Sequence, residues 1–221
     1  MLLAVDTSTQ WLGIALYDGH MVAAEHAWLS QGHHTVELAP AIQWMLARTQ
    51  VSIKQLKALG VALGPGSFTS LRIGLAVVKG LALAEKLPVI GIPTLDILAY
   101  GQPPDERRLV AVLQAGRGRL AVGDYRYREG RWWAENHPRV LTLDSLIETL
   151  QEPVIICGEL TAQERQRLAR QPGVVLVSPA RSMRHPAFLA ELAWQRWKKG
   201  EVDDVNSLSP LYLHHAEGVS L

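Results

Sequence analysis

The sequence predicts an α/β protein made of two similar domains, each built on a mixed sheet. Three observations carry the prediction. The order strand, strand, strand, helix, strand, helix runs through residues 1–104 and again through 105–221. Each half opens on a short apolar run, LLAV at 2–5 and LVAVL at 109–113, of the kind that forms a buried strand. Pro93, Pro103 and Pro104 bracket a linker near 100–107.

The first half reads as follows. Residues 12–17 and 21–27 flank Asp18-Gly19, a strong hairpin turn. Leu38, Ile42, Met45 and Leu46 keep helical spacing over 35–48, with a kink expected at Pro40. Residues 58–63 form a strand and 70–86 a helix, and LPVIGIP holds another short strand.

In the second half, 119–127 is a strand, Glu129-Gly130 turns, and 131–138 is a third strand. A short helix at 142–150 precedes the strand 153–157. Thr161 and Glu164 form a capping box that starts the next helix. Residues 174–177 are a strand, and Pro186 and Gly200 open and close a last helix, which is expected to pack back on the first domain.

Composition narrows the function classes. The chain has 221 residues, 48% hydrophobic and 19% charged, which is ordinary for a globular protein. A net charge of +1 offers no general attraction to nucleic acid. No apolar run is long enough to span a membrane, because Lys79 and Glu85 interrupt the longest. MLLAVDTST lacks a basic leader and reads as a strand. The single cysteine, Cys157, excludes an internal disulfide and reads as a buried strand residue, with a catalytic thiol the lesser alternative. A cytoplasmic location is the expectation.

Two loops resemble phosphate cradles. Asp6, Thr7, Ser8 and Thr9 place an acid and three hydroxyls at a strand end, where Asp6 could hold a metal-bound water. A polar β-turn explains them equally well. Gly64, Gly66, Ser67 and Thr69 form a turn between strand and helix, with Ser67 and Thr69 as helix caps. No Lys-Ser/Thr pair ends this loop, so it is not a P-loop, and a tight structural turn is preferred. Ser67 does not sit in a G-x-S-x-G elbow. The eight histidines, with pairs at His33-His34 and His214-His215, lack chelating spacing, and no metal site is expected.

The helix at 70–86 carries more information. Arg72 and Lys79 are its only charges from Leu71 to Ala84, and they share one face. One sheet cannot cover a helix apolar on every other side. It is therefore either sandwiched inside the chain or packed on a second chain; with the helix at 35–48 it is the expected partner-docking surface, through Leu38, Ile42, Met45, Leu71, Arg72, Gly74, Leu75, Val78 and Gly80. In the second half Gln114 stands where a duplicated nucleotide fold would want a carboxylate. Arg117, Arg119, Arg126, Arg128 and Arg131 form either a solvated strand face or a ridge for RNA or nucleotide phosphate, with Arg117 and Arg119 the closest candidates.

LLAVDTST, ALGPGSFTSLRIGLAVVKGLA at 62–82, GIPTLDILA at 91–99 and LSPLYL at 208–213 resemble the TsaB (YeaZ) family. The resemblance is close over 1–100 and looser beyond. It implies the duplicated actin-like, sugar-kinase-like (ribonuclease H-like) fold. It also implies a non-catalytic accessory subunit in N6-threonylcarbamoyladenosine formation at tRNA position 37. The implied partners are a TsaD-like transferase, a TsaE-like ATPase, and a second copy of the chain when alone, with tRNA met only indirectly. No cofactor of its own is implied, ATP or ADP belonging to the complex. Ser70, Gln114 and Gly116 depart from the family pattern. The alternative function is an ATP-dependent kinase or ATPase of the same fold, using Asp6.

Overall fold

Five strands of the first half form one mixed sheet in the computed structural model, which describes residues 1–213. β1 (Leu2–Asp6) lies at its centre, antiparallel to β2 (Trp11–Tyr17) and parallel to β4 (Ala58–Ala62). β3 (Val22–Leu29) and β5 (Val89–Ile92) are its edges, giving the order β3-β2-β1-β4-β5. Every residue of β1 and β4 is buried, which explains their unbroken apolar runs.

α1 (His34–Thr49) and α2 (Phe68–Glu85) cover one face of this sheet. α1 runs unbroken through Pro40. α3 (Thr94–Tyr100) follows β5, inside the segment read as leading into a linker. At seven residues it is too short to show a helical period, and Pro93 at its start reads equally as a breaker.

The second half repeats the plan. β6 (Arg108–Gln114) and β7 (Arg119–Arg128) are antiparallel, and β10 (Val154–Gly158) and β11 (Val174–Leu176) add in parallel. The strand expected at 131–138 ends early, as β8 (Arg131–Ala134), and β9 (Arg139–Thr142) follows as a further strand beyond those expected from the sequence. Both pair with β7, at opposite ends of it. Pro138 lies between them and lacks the N–H that a continuous ladder needs. α4 (Leu143–Glu148) and α5 (Ala162–Ala169) cover the outer face. The Thr161/Glu164 capping box is present at the start of α5.

The last helix of each half crosses to the other. α6 (Pro186–Lys198) lays Leu189, Ala190 and Ala193 against Leu2, Ala4, Ala15 and Ile90 of the first sheet. α3 lays Leu95, Leu98 and Ala99 against Leu109, Ala111, Ala121 and Tyr125 of the second. The layers therefore run α1 and α2, first sheet, α6 and α3, second sheet, α4 and α5.

Residues beyond α6 form a strap along the first sheet. Asp203 pairs with the edge of β5, its N–H donating to the Val89 carbonyl and its carboxylate accepting from the Gly91 N–H at 2.7 Å. Further on, the Leu211 N–H donates to the Leu63 carbonyl. Arg72 Nε donates to the Tyr212 hydroxyl at 3.0 Å, while its guanidinium lies 3.6 Å from the Phe68 ring centre. Part of the surface of α2 is thus covered from within the chain, Tyr212 lying against Phe68 and the Asn206 carbonyl accepting from Lys79.

Candidate functional site

The two glycine- and hydroxyl-rich loops meet at the ends of β1 and β4. Asp6 closes β1, and its carboxylate accepts the Ser8 N–H at 2.8 Å, folding the chain into an Asx turn. The Thr7 hydroxyl donates to the Ser70 carbonyl in the first turn of α2. The Ser8 and Thr94 hydroxyls share a hydrogen bond of 2.8 Å, and the Thr94 hydroxyl accepts the Gly64 N–H. The Ser67 N–H donates to the Ser8 carbonyl at 2.6 Å. Contact is close enough that a Cβ on Gly66 would stand 2.1 Å from that carbonyl oxygen. Ser67 is the cap of α2, while Thr69 lies inside the first turn and is exposed. The groups read as phosphate donors are therefore largely engaged with one another. These loops aim α2.

Asp6 is engaged further by a residue with no local signal in the sequence. Arg184, in the loop before α6, is buried. Its Nε donates to Asp6 Oδ2 at 2.8 Å and its Nη2 to the Thr9 hydroxyl at 2.9 Å. Its Nη1 donates to Glu159, just past β10, and the Thr9 hydroxyl donates to the same Glu159 oxygen at 2.7 Å. Burial alone would favour the neutral guanidine, but Asp6 and Glu159 outweigh it and raise the arginine pKa still higher. A fixed cation thus sits where the nucleotide reading of Asp6 would put a metal-bound water.

At the matching strand end in the second half, Gln114 donates to the Glu159 carbonyl at 3.2 Å and to Glu164 Oε2 at 2.8 Å. It buttresses the capping box of α5. Gly116, Arg117 and Gly118 all take positive φ in an exposed turn. The wider arginine ridge is internally matched. Arg126 pairs with Glu152 at 2.6 Å and Glu135 at 3.5 Å, Arg128 with Glu135, and Arg131 stacks on Trp133. Beside Arg184 the two halves enclose an open cleft of about 1600 Å³, lined by Trp11, Gln102, Leu160, Arg165 and Phe188 among others.

Among the described residues no three His, Cys, Asp or Glu side chains are placed to hold a metal ion. His34 is buried at the start of α1, and burial lowers its pKa. His214-His215 lies outside the described residues. Cys157 is buried in β10, and burial pushes its thiol up to about 12, which removes the thiolate a nucleophile needs.

The docking residues named from the helical pattern need correction. Leu38, Ile42, Met45, Leu71, Gly74, Leu75 and Val78 are all buried, and those on both helices pack on the first sheet or its loops. A helix's apolar stripe is its core side, and the period alone does not reveal what lies opposite. Arg72 and Gly80 are exposed. The outward faces carry Val36 (68% exposed), Trp44 (57%) and Leu83 (63%), with Ala39, Pro40, Ala47 and Ala76 also exposed.

Two sheets of the same strand order, each with three antiparallel and then parallel strands, define a duplicated α/β protein of the actin-like, sugar-kinase-like class. A family model described as TsaD, tRNA N6-adenosine threonylcarbamoyltransferase, matches residues 28–172. The tRNA threonylcarbamoyladenosine biosynthesis protein TsaB of Escherichia coli is 30% identical, over 97% of this chain and 94% of that protein. TsaB of Bacillus subtilis is 31% identical, over 98% and 95%. The solved YeaZ structure from Pseudomonas aeruginosa superposes with a TM-score of 0.79 at 28% identity, covering 96% of this chain and 99% of that one. The chain belongs to the TsaB (YeaZ) family of tRNA threonylcarbamoyladenosine biosynthesis proteins. No helix among the described residues is long and apolar enough to cross a membrane.

Proposed function

We propose that this chain is a non-catalytic subunit that docks onto a TsaD-like transferase in the formation of N6-threonylcarbamoyladenosine on tRNA. The observation that carries the reading is the outward face of α1 and α2, where Val36, Trp44, Phe68 and Leu83 are exposed around small residues. Apolar surface gathered on two adjacent helices marks a protein interface. Ala76 and Gly80 let another backbone come close. The same face serves as a homodimer contact when the partner is absent. A TsaE-like ATPase supplies nucleotide turnover, and this chain carries no cofactor itself, any ATP or ADP being held in the assembled complex.

The kinase or ATPase reading is weaker, because the Asp6 carboxylate it needs is bound to Arg184. ATP turnover by the pure chain, lost in Asp6→Asn, is the result that restores it.

The docking test is a mixture of the purified chain with its cognate TsaD on size-exclusion chromatography. Nothing lies within 4 Å of the place a Gly80 Cβ would occupy, so Gly80→Arg leaves the fold intact while blocking close approach. Co-elution lost in Gly80→Arg supports the assignment; unchanged co-elution sinks it. Gly74→Arg is unsuitable, since it strikes the Thr7 loop. Modification of tRNA in vitro is expected only from the mixture.

A further inference from the structure

Arg184 touches both halves of the molecule at once. Its backbone leads into α6, which lies on the first sheet, and two of its nitrogens bond Asp6 and Thr9 of that same half. Its third nitrogen reaches Glu159, at the end of the central parallel strand of the second sheet. Thr9 crosses the same gap to Glu159 directly. The guanidinium side chain is 2% exposed.

A planar fork fits such a place in a way an ammonium does not, because its donors point in fixed directions at two carboxylates and a hydroxyl. Two carboxylates at the inner ends of facing sheets would otherwise repel across the cleft. In two-domain folds that close on a ligand, the walls must part and approach by hinge motion, and a few contacts at the hinge set the balance. The other contacts between the halves are the apolar packing of α3 and α6 and single hydrogen bonds such as Tyr125 to Asp96 and Trp132 to the Gln102 carbonyl; Arg184 alone among them joins two carboxylates from opposite halves.

We infer that Arg184 is a built-in cation that locks the two sheets in one relative orientation, so that the cleft beside it does not open and close. The lock is independent of whether α1 and α2 bind a partner. The chain then presents its docking helices on a rigid body.

The test is the distance between spin labels on Arg48→Cys and Gln163→Cys, exposed positions on α1 and α5. Pulsed electron resonance is recorded on labelled chain diluted with unlabelled chain. The parent is expected to give a single narrow distance. The triple variant Asp6→Asn, Glu159→Gln, Arg184→Met removes the lock without leaving a buried charge unpaired. It is expected to give a distribution at least twofold wider, or a second, longer distance. A folded triple variant with the parent's narrow distance overturns the inference. Where the triple variant does not fold, Arg184→Lys keeps the charge and loses the fork. Widening in that variant supports the lock, and an unchanged width overturns it.

Discussion

Gly74 in α2 faces Thr7 so closely that a Cβ on it would stand 2.2 Å from the Thr7 hydroxyl oxygen. That hydroxyl also holds the Ser70 carbonyl one turn earlier. In most helix interiors Gly→Ala gains about 1 kcal/mol. Here overpacking of roughly 1–3 kcal/mol opposes the gain, and Gly74→Ala is expected to be net destabilising, by up to about 2 kcal/mol, in urea titrations.

Gly80, in the same helix, is the opposite case, with open space where its Cβ would stand. Gly80→Ala is expected to raise the unfolding free energy by about 0.5–1 kcal/mol. Equal signs for the two alanine variants would contradict the packing described for α2.

Thr94 joins the two loops, since its hydroxyl accepts from Gly64 and is shared with Ser8, all out of contact with water. Thr94→Val keeps the shape and strands both partners. The expected loss is about 2 kcal/mol, from the desolvation of buried donors left unmade. A shifted urea midpoint at unchanged slope is the measurement that checks it.

Asp96 in α3 accepts a hydrogen bond of 2.7 Å from the Tyr125 hydroxyl. Burial raises its pKa above the ordinary carboxylate value, and the Tyr125 bond only partly offsets this. Folding therefore favours the protonated acid. The contribution to stability is present at low pH and is lost as pH rises through the folded-state pKa. Asp96→Asn accepts the same bond without a charge to bury. It is expected to raise the melting temperature at pH 7–8, with the advantage vanishing below about pH 4, where the unfolded carboxylate is itself protonated. An advantage that grows on acidification would contradict the assignment.

Cys157 is sealed in β10 with its thiol held up to about 12. No reaction with a thiol reagent is expected for the native chain near pH 8, and one thiol per chain after unfolding in urea. Rapid labelling of the native chain would show that the second sheet opens.

What the sequence disclosed follows the range of the interaction involved. β1, β4, α1 and α2 were legible because burial imprints a local pattern, and the α5 capping box because both partners lie within four residues. The strand at 131–138 reads too long and β9 does not show in the sequence, because four residues, Arg139 to Thr142, are too few to show an alternating pattern. Arg184 was illegible, since its bond to Asp6 spans 178 residues and nothing beside it announces a partner. The proposed docking face was legible only as an excess of apolar residues in α2. Its individual residues were not, because the regular stripe belongs to the core and the outward apolar residues follow no period of their own.

The exchange of α3 and α6 between the two sheets bears on how the chain is made. When the ribosome has released the first sheet and α3, the inner face of Leu2, Ala4, Ala15 and Ile90 has only Ile97 packed with it, for the helix that seals it lies at residues 186–198. At about 5–20 residues per second, that cover arrives roughly 5–20 s later. Through that interval the nascent first half displays a sticky surface, and a chaperone or a delayed collapse must shield it. A truncated chain ending before α6 would keep that surface for good.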